Sequence, residues 1–227
     1  MLNDPLYTLV RLLLLLFAGV MLKLSIRRLG ILPAGPKIFV SNHPSATDPF
    51  MIHIISRERL NVLITAKAFS VPVFGWFLRT IREIPVPLEQ GSIALDDAGQ
   101  YLQDGKSVAI FIEGHISPPD GSFLPPRTGA ARLAIQTGTP VISVGIFLRR
   151  ELSLCIKSKI NGKHVQAHWC FRGPYAMTMG QPMQFDGDVE DRQHIRTVSE
   201  TIMHQIRLLA HESEHRTLHP ELAAASI

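Results

Sequence analysis

Two apolar runs constrain the fold more than any other feature of the 227-residue chain. They are Val108-Ala109-Ile110-Phe111-Ile112 and the segment from Val141 to Leu148. A strand with one wet face alternates polar and apolar residues. A strand apolar at nearly every position needs cover on both faces. The intervening segments supply that cover. Ser92 to Asp104 reads as a helix with Ser92 as N-cap and Gly105 just past its end, and Thr128 to Thr137 as a helix closed by Gly138. Short β-rich runs at 37–41, 61–66 and 84–86 alternate with helical stretches at 48–56 and 71–80. The pattern predicts an α/β fold with a mostly parallel central sheet flanked by helices. The last third differs. His164 to Phe171 alternates like a half-exposed strand, and Val189 to about Arg216 is a long helix with Ile195, Val198, Ile202, Ile206 and Leu209 on one stripe.

At 46% hydrophobic residues the chain can build one sizeable core, and 19% charged residues with mean hydropathy +0.16 predict extra apolar surface. The net charge of +4 is confined to residues 1–37, where Arg11, Lys23, Arg27, Arg28 and Lys37 oppose only Asp4. The rest of the chain balances. A nucleic-acid-binding domain spreads basic residues over a folded face; basic residues flanking an apolar run suit an anionic membrane surface. That run, Leu12 to Leu22, is too short as a helix to cross a bilayer core of about 30 Å. Extended from Pro5 to Ile26 it would reach, with Arg11 and Lys23 near its ends. With no Ala-x-Ala site and its charge after the apolar run, it does not read as a signal peptide. The expectation is an N-terminal membrane-associated helical segment that dips into one leaflet. Cys155 and Cys170 sit in apolar stretches and read as buried free thiols.

The chemistry-bearing residues follow the strands. His43 and Asp48 are five positions apart after the first β-rich run, with Pro44 and small residues between them. A carboxylate on one imidazole nitrogen leaves the other free to accept a proton from a hydroxyl. The spacing alone is common, and a histidine beside a helix start would share it. A second polar segment, Glu113-Gly114-His115-Ile116-Ser117, follows the apolar run at 108–112. Strand ends are where α/β folds place their sites. His211, His215 and His219 share a helical face and read as a solvated surface rather than a metal site. No Gly-x-Ser-x-Gly elbow, Gly-x-x-x-x-Gly-Lys-Ser/Thr phosphate-binding loop or dinucleotide fingerprint is present.

Four blocks stand in a recognisable order. Asn42, His43 and Asp48 fit Asn-His-x-x-x-x-Asp. Lys67, Pro72 and Gly75 precede Ile84-Pro85-Val86. Phe111, Glu113, Gly114 and Ser117 fit Phe-Pro-Glu-Gly-Thr-Arg-Ser. Arg127 and Gly129 lead to Thr139-Pro140-Val141-Ile142-Ser143-Val144. Over residues 37–147 the chain thus resembles the glycerolipid acyltransferase family, typified by lysophosphatidic acid acyltransferase. The resemblance implies an acyltransferase domain over 37–227, preceded by a membrane-associated arm over 1–36. It implies that His43 deprotonates an acceptor hydroxyl, that Asp48 orients His43, and that Asn42, Lys67, Gly75, Arg82, Glu113, Gly114, His115, Ser117 and Arg127 bind substrate. It places oxyanion donors near Gly114. It implies acyl-CoA or acyl-carrier protein as co-substrate, no metal and no resident cofactor. The partners would be a membrane lipid acceptor, an acyl donor and an anionic membrane surface, with no nucleic acid, at the cytoplasmic face of the inner or plasma membrane. Two departures matter. Ile116 and Leu88 stand where the family carries arginines, which predicts an acceptor without an exposed phosphomonoester, such as a glycolipid or amino-lipid. Arg79, Arg82 and Arg127 are the nearby replacements. A non-catalytic acyl-lipid-binding protein and a thioesterase are the competing readings.

Overall fold

The protein is described by a computed structural model covering residues 5–88, 90–160 and 163–219. The chain runs α1 (Pro5–Val20), β1 (Leu22–Arg28), β2 (Ile38–Ser41), α2 (Asp48–Met51), β3 (Leu60–Thr65), α3 (Pro72–Thr80), β4 (Ile84–Val86), α4 (Gly91–Gln103), β5 (Ser107–Phe111), α5 (Gly129–Thr137), β6 (Val141–Leu148), β7 (Leu154–Ile160), β8 (Lys163–Trp169), β9 (Gly173–Met183) and α6 (Arg192–Leu218). Seven strands form one sheet in the order β1-β9-β6-β2-β5-β3-β4, and β7 pairs with β8 in a separate hairpin.

β2 to β6 all run parallel; β9 is antiparallel to β6, and β1 is parallel to β9. The sheet is therefore mostly parallel, with its β1–β9 edge reversed. Successive residues of the buried strands point to opposite faces. Ile38, Val40, Val108 and Ile110 pack in one cluster with residues of α4, α5 and α6, whereas Phe39, Ala109 and Phe111 pack in another with residues of α1 and α2. Two covered faces account for the unbroken apolar runs of β5 and β6. α6 lies against β6 closely enough that a Cβ at Gly145 would stand 2.0 Å from the Ala210 nitrogen.

Several expectations need correction. The N-terminal helix ends at Val20, and Leu22–Arg28 is an edge strand of the main sheet. A separate arm over 1–36 therefore does not describe the chain, because β1 pairs along its whole length with β9. No helix among the described residues is long and apolar enough to cross a membrane. Lys37 is buried and pairs with Glu58 at 3.0 Å, and Arg27 pairs with Glu212 at 2.9 Å. Two of the five N-terminal cations thus serve ion pairs within the protein. Ser92 lies inside the first turn of α4, which is preceded by Gln90 with no side-chain cap. Cys170 is buried but Cys155 is exposed, because β7 contributes only to the outlying hairpin.

Candidate active site

The C-terminal ends of β2, β5 and β6 lie side by side, since these strands are neighbours and parallel. The loop after β2 carries His43 and Asp48, the loop after β5 carries Glu113 to Ser117, and Arg150 to Ser153 follow β6.

Asp48 is fully buried at the start of α2. Its Oδ2 lies 2.9 Å from His43 Nδ1 and accepts from the Ser45 amide at 2.7 Å, while Oδ1 accepts from the Tyr175 hydroxyl at 2.7 Å. An ionised carboxylate only accepts, so Nδ1 must carry the imidazole proton. That leaves Nε2 as a base. The ring stacks on Phe111, centroids 4.2 Å apart, which fixes its plane. Burial, together with the adjacent Asp48 carboxylate, raises Tyr175 well above the ordinary phenol range, so it remains a neutral donor. Tyr175 stands on β9, and nothing local in the sequence pointed to it.

The turn between His43 and Asp48 is pinned from outside. Ala46 N donates to His168 O at 2.8 Å, Ser45 Oγ to the same oxygen at 3.0 Å, and the Cys170 amide to Thr47 Oγ1 at 2.9 Å. The β7–β8 hairpin thereby holds the turn. Burial first, and the Asp48 charge second, push the Cys170 thiol up to about 11. The thiol therefore stays protonated and donates to the Arg172 carbonyl at 3.7 Å.

Glu113 is buried and spans two loops. Oε1 accepts from the His43 amide at 3.1 Å and from Ser117 Oγ at 2.6 Å; Oε2 accepts from the Leu124 amide at 2.8 Å. The Ser117 amide returns a bond to His43 O at 2.7 Å. Glu113 and Ser117, expected to bind substrate, stitch the His43 loop to the loop after β5. Asn42 is likewise buried, its amide exchanging bonds of 2.9 and 2.8 Å with the Ile146 backbone on β6. It anchors β2 to β6 rather than facing a ligand. The Gly114 amide donates to Phe111 O at 3.0 Å and is not free for an oxyanion.

His115 and Arg127 are exposed beside the cluster, 3.5 Å apart, with Arg127 lying over Gly114, whose φ is +67°. Lys67, Gly75 and Arg82 belong to the segment after β3, to α3, and to the turn before β4. Phe50 on α2 meets Phe74 on α3 at 5.9 Å, linking that region to the helix that begins at Asp48. Lys67 is exposed; Gly75 is buried where a Cβ would stand 2.0 Å from the Phe69 carbonyl oxygen, so its role is close packing. Arg79 donates to that same carbonyl at 2.9 Å and is committed to it. Arg82, exposed with φ of 61°, offers its carbonyl to Asn61 at 2.7 Å. Among the described residues no group of three or more His, Cys, Asp or Glu is placed to hold a metal.

The family model for Acyltransferase matches residues 23–147, more than half of the chain. The protein belongs to the Acyltransferase family. The matched span takes in His43, Asp48 and Glu113 but not Tyr175. Over 129 residues the chain is 28% identical to the 1-acyl-sn-glycerol-3-phosphate acyltransferase of Pseudomonas aeruginosa, covering 54% of this chain and 49% of that one. Over 128 residues it is 30% identical to the chloroplastic 1-acyl-sn-glycerol-3-phosphate acyltransferase BAT2 of Brassica napus, covering 54% of this chain and 36% of that one. The chain thus spans about half, or less, of the length of these curated relatives. The solved structure of the 1-acyl-sn-glycerophosphate (LPA) acyltransferase PlsC from Thermotoga maritima aligns with a TM-score of 0.64 at 19% identity, over 95% of this chain and 83% of that one. This acyltransferase fold therefore extends beyond the span of the family model.

Proposed function

We propose that the protein is a membrane-associated O-acyltransferase that moves a fatty acyl group from acyl-CoA or acyl-carrier protein to the hydroxyl of a lysoglycerolipid, at the cytoplasmic face of the inner or plasma membrane. One observation carries this reading: His43 is bonded at 2.9 Å to a buried Asp48, in a chain of the Acyltransferase family. Nε2 of His43 takes the proton of the acceptor hydroxyl. The oxygen attacks the thioester carbonyl carbon, and the tetrahedral intermediate collapses with loss of the C–S bond. The leaving sulfur receives the proton from His43, giving an ester and a free thiol. Asp48 stabilises the imidazolium between the two transfers. The reaction consumes no metal or redox equivalent.

The outer face of α1 supports action at a membrane. Leu9, Leu12, Leu13, Leu16 and Val20 recur at helical spacing, and all are exposed, Leu16 at 63% and Val20 at 72%. The opposite side packs inward through Tyr7, Leu14, Phe17 and Ala18. A helix apolar on both sides suits burial in protein on one and in lipid on the other. Apolar contact is the main term, since Arg27 and Lys37 are held in ion pairs.

The test uses labelled acyl-CoA and vesicles carrying lysolipids, with products identified by mass spectrometry. The expected result is a labelled diacyl lipid, with kcat lowered about 10²–10⁴-fold by His43→Ala. Release of free fatty acid at the same rate without any lysolipid would overturn acyl transfer in favour of hydrolysis.

A further inference from the structure

Between the His43 turn and the end of β6 lies a cavity of about 250 Å³ lined by Pro44, Ser117, Arg150, Glu151, Ser153 and His168, among others. Its walls come from the loops after β2, β5 and β6 and from the hairpin that pins the His43 turn. It shares Pro44 and Ser117 with the candidate active site: Pro44 follows His43 directly, and the Ser117 amide is bonded to His43 O at 2.7 Å. Its volume is below the roughly 300–1,000 Å³ of a site for a drug-sized molecule. That is room for a head group rather than an acyl chain.

The lining carries two residues of opposite charge, Arg150 and Glu151. Arg150 is half-buried and anchored by Nη1 to the Pro118 carbonyl. Glu151 is exposed, with a loose 3.9 Å contact to Arg149. Among the described residues the Ser153 Oγ is buried without a hydrogen-bond partner, an arrangement that costs free energy. Of the residues lining the cavity, one is a cation and one an anion, and their charges cancel. A phosphomonoester, with a charge of about −1.5 to −2, would meet Glu151 as well as Arg150 and gain little. A head group with its own anion and ammonium is matched at both ends.

We propose that this cavity binds a zwitterionic head group of the acyl acceptor, with Arg150 holding its phosphodiester or carboxylate and Glu151 its ammonium. The proposal rests on the acyltransferase reading for the words "acyl acceptor", but the binding itself does not need turnover. His168 and Pro44 line the cavity on the side of the His43 turn.

The experiment measures equilibrium binding of short-chain, water-soluble lysolipids to the full-length protein. The probes are lysophosphatidylethanolamine, an amino-acid-headed lysolipid and lysophosphatidic acid. The expected result is that at least one zwitterionic probe binds about tenfold or more tighter than lysophosphatidic acid. Arg150→Ala and Glu151→Gln should each weaken that probe about tenfold. Glu151→Lys should reverse the preference towards lysophosphatidic acid, a gain that misfolding does not mimic. Equal binding of all probes by the unsubstituted protein, or an unaltered zwitterion affinity in Arg150→Ala, overturns the proposal. A parallel turnover assay separates the two readings. Discrimination in binding without acyl transfer to any lysolipid retains the cavity and overturns the enzyme; transfer insensitive to Arg150→Ala does the reverse.

Discussion

Tyr175 is the residue whose effect is least local. It reaches Asp48 from 127 positions away and occupies the carboxylate oxygen that His43 does not use. Its removal should loosen the orientation of Asp48 without touching substrate, which makes it a positioning residue. Tyr175→Phe is expected to lower kcat about tenfold while leaving KM for donor and acceptor unchanged, measured in the vesicle assay. A rise in KM with unchanged kcat would assign Tyr175 to binding instead. The pair His43–Asp48 was legible in the sequence because both members lie in one turn. Tyr175 was not, because its partner is set by the pairing of β9 with β6. Glu113 and Asn42 were legible as important positions, but their tasks were not: a buried side chain that accepts backbone amides looks, in sequence, like one that accepts a ligand. The cysteines give a second test at this scale. With its thiol pushed up to about 11 and its side chain buried, Cys170 should resist a thiolate-directed reagent at neutral pH, while exposed Cys155 reacts. One labelled thiol in the native protein and two after denaturation is the expected result by mass spectrometry.

At the scale of elements, α1 and α6 differ in what their faces meet. α6 is seated against β6 through Gly145, where a Cβ would collide with the backbone at Ala210 and Leu209 rather than with a movable side chain. The Ser213 hydroxyl also donates to Gly145 O at 2.9 Å. Gly145→Ala should therefore force the helix away from the sheet and lower stability by about 1–3 kcal/mol or more, read as a shift in denaturant midpoint. The long apolar stripe of α6 was legible, but the glycine that admits it was not, because close approach leaves no compositional trace. α1 carries a second apolar face with no protein partner among the described residues. Leu12→Ser with Leu16→Ser is expected to lower partitioning to vesicles about tenfold or more, while the melting temperature in lipid-free buffer stays within the scatter of exposed substitutions. Loss of folded protein in the absence of lipid would instead mean that this face packs within the molecule.

For the molecule as a whole, the sequence made the parallel centre of the sheet plain, through β5 and β6, but not its reversed edge. β1 follows an apolar helix so closely that the two read as one segment; only its pairing with β9, far along the chain, makes it a strand. The consequence is that the N-terminal region belongs to the folding unit. Tyr7 of α1 is buried, its hydroxyl accepts the Leu60 amide at 3.1 Å and lies 3.2 Å from His53 Nδ1, and His53 Nε2 lies 2.8 Å from the buried Glu83. This chain of contacts runs from α1 across β3 to the turn before β4. An N-terminal helix serving only as an anchor could lose the Tyr7 hydroxyl without effect on the body. An integral one could not, because the substitution takes from a buried amide the oxygen it donates to. Tyr7→Phe is therefore expected to destabilise the whole protein by about 1–3 kcal/mol in lipid-free buffer. The denaturation slope should be unchanged, as befits one cooperative unit. An unaltered midpoint, or a separate early transition confined to α1, would return the helix to the status of an appendage.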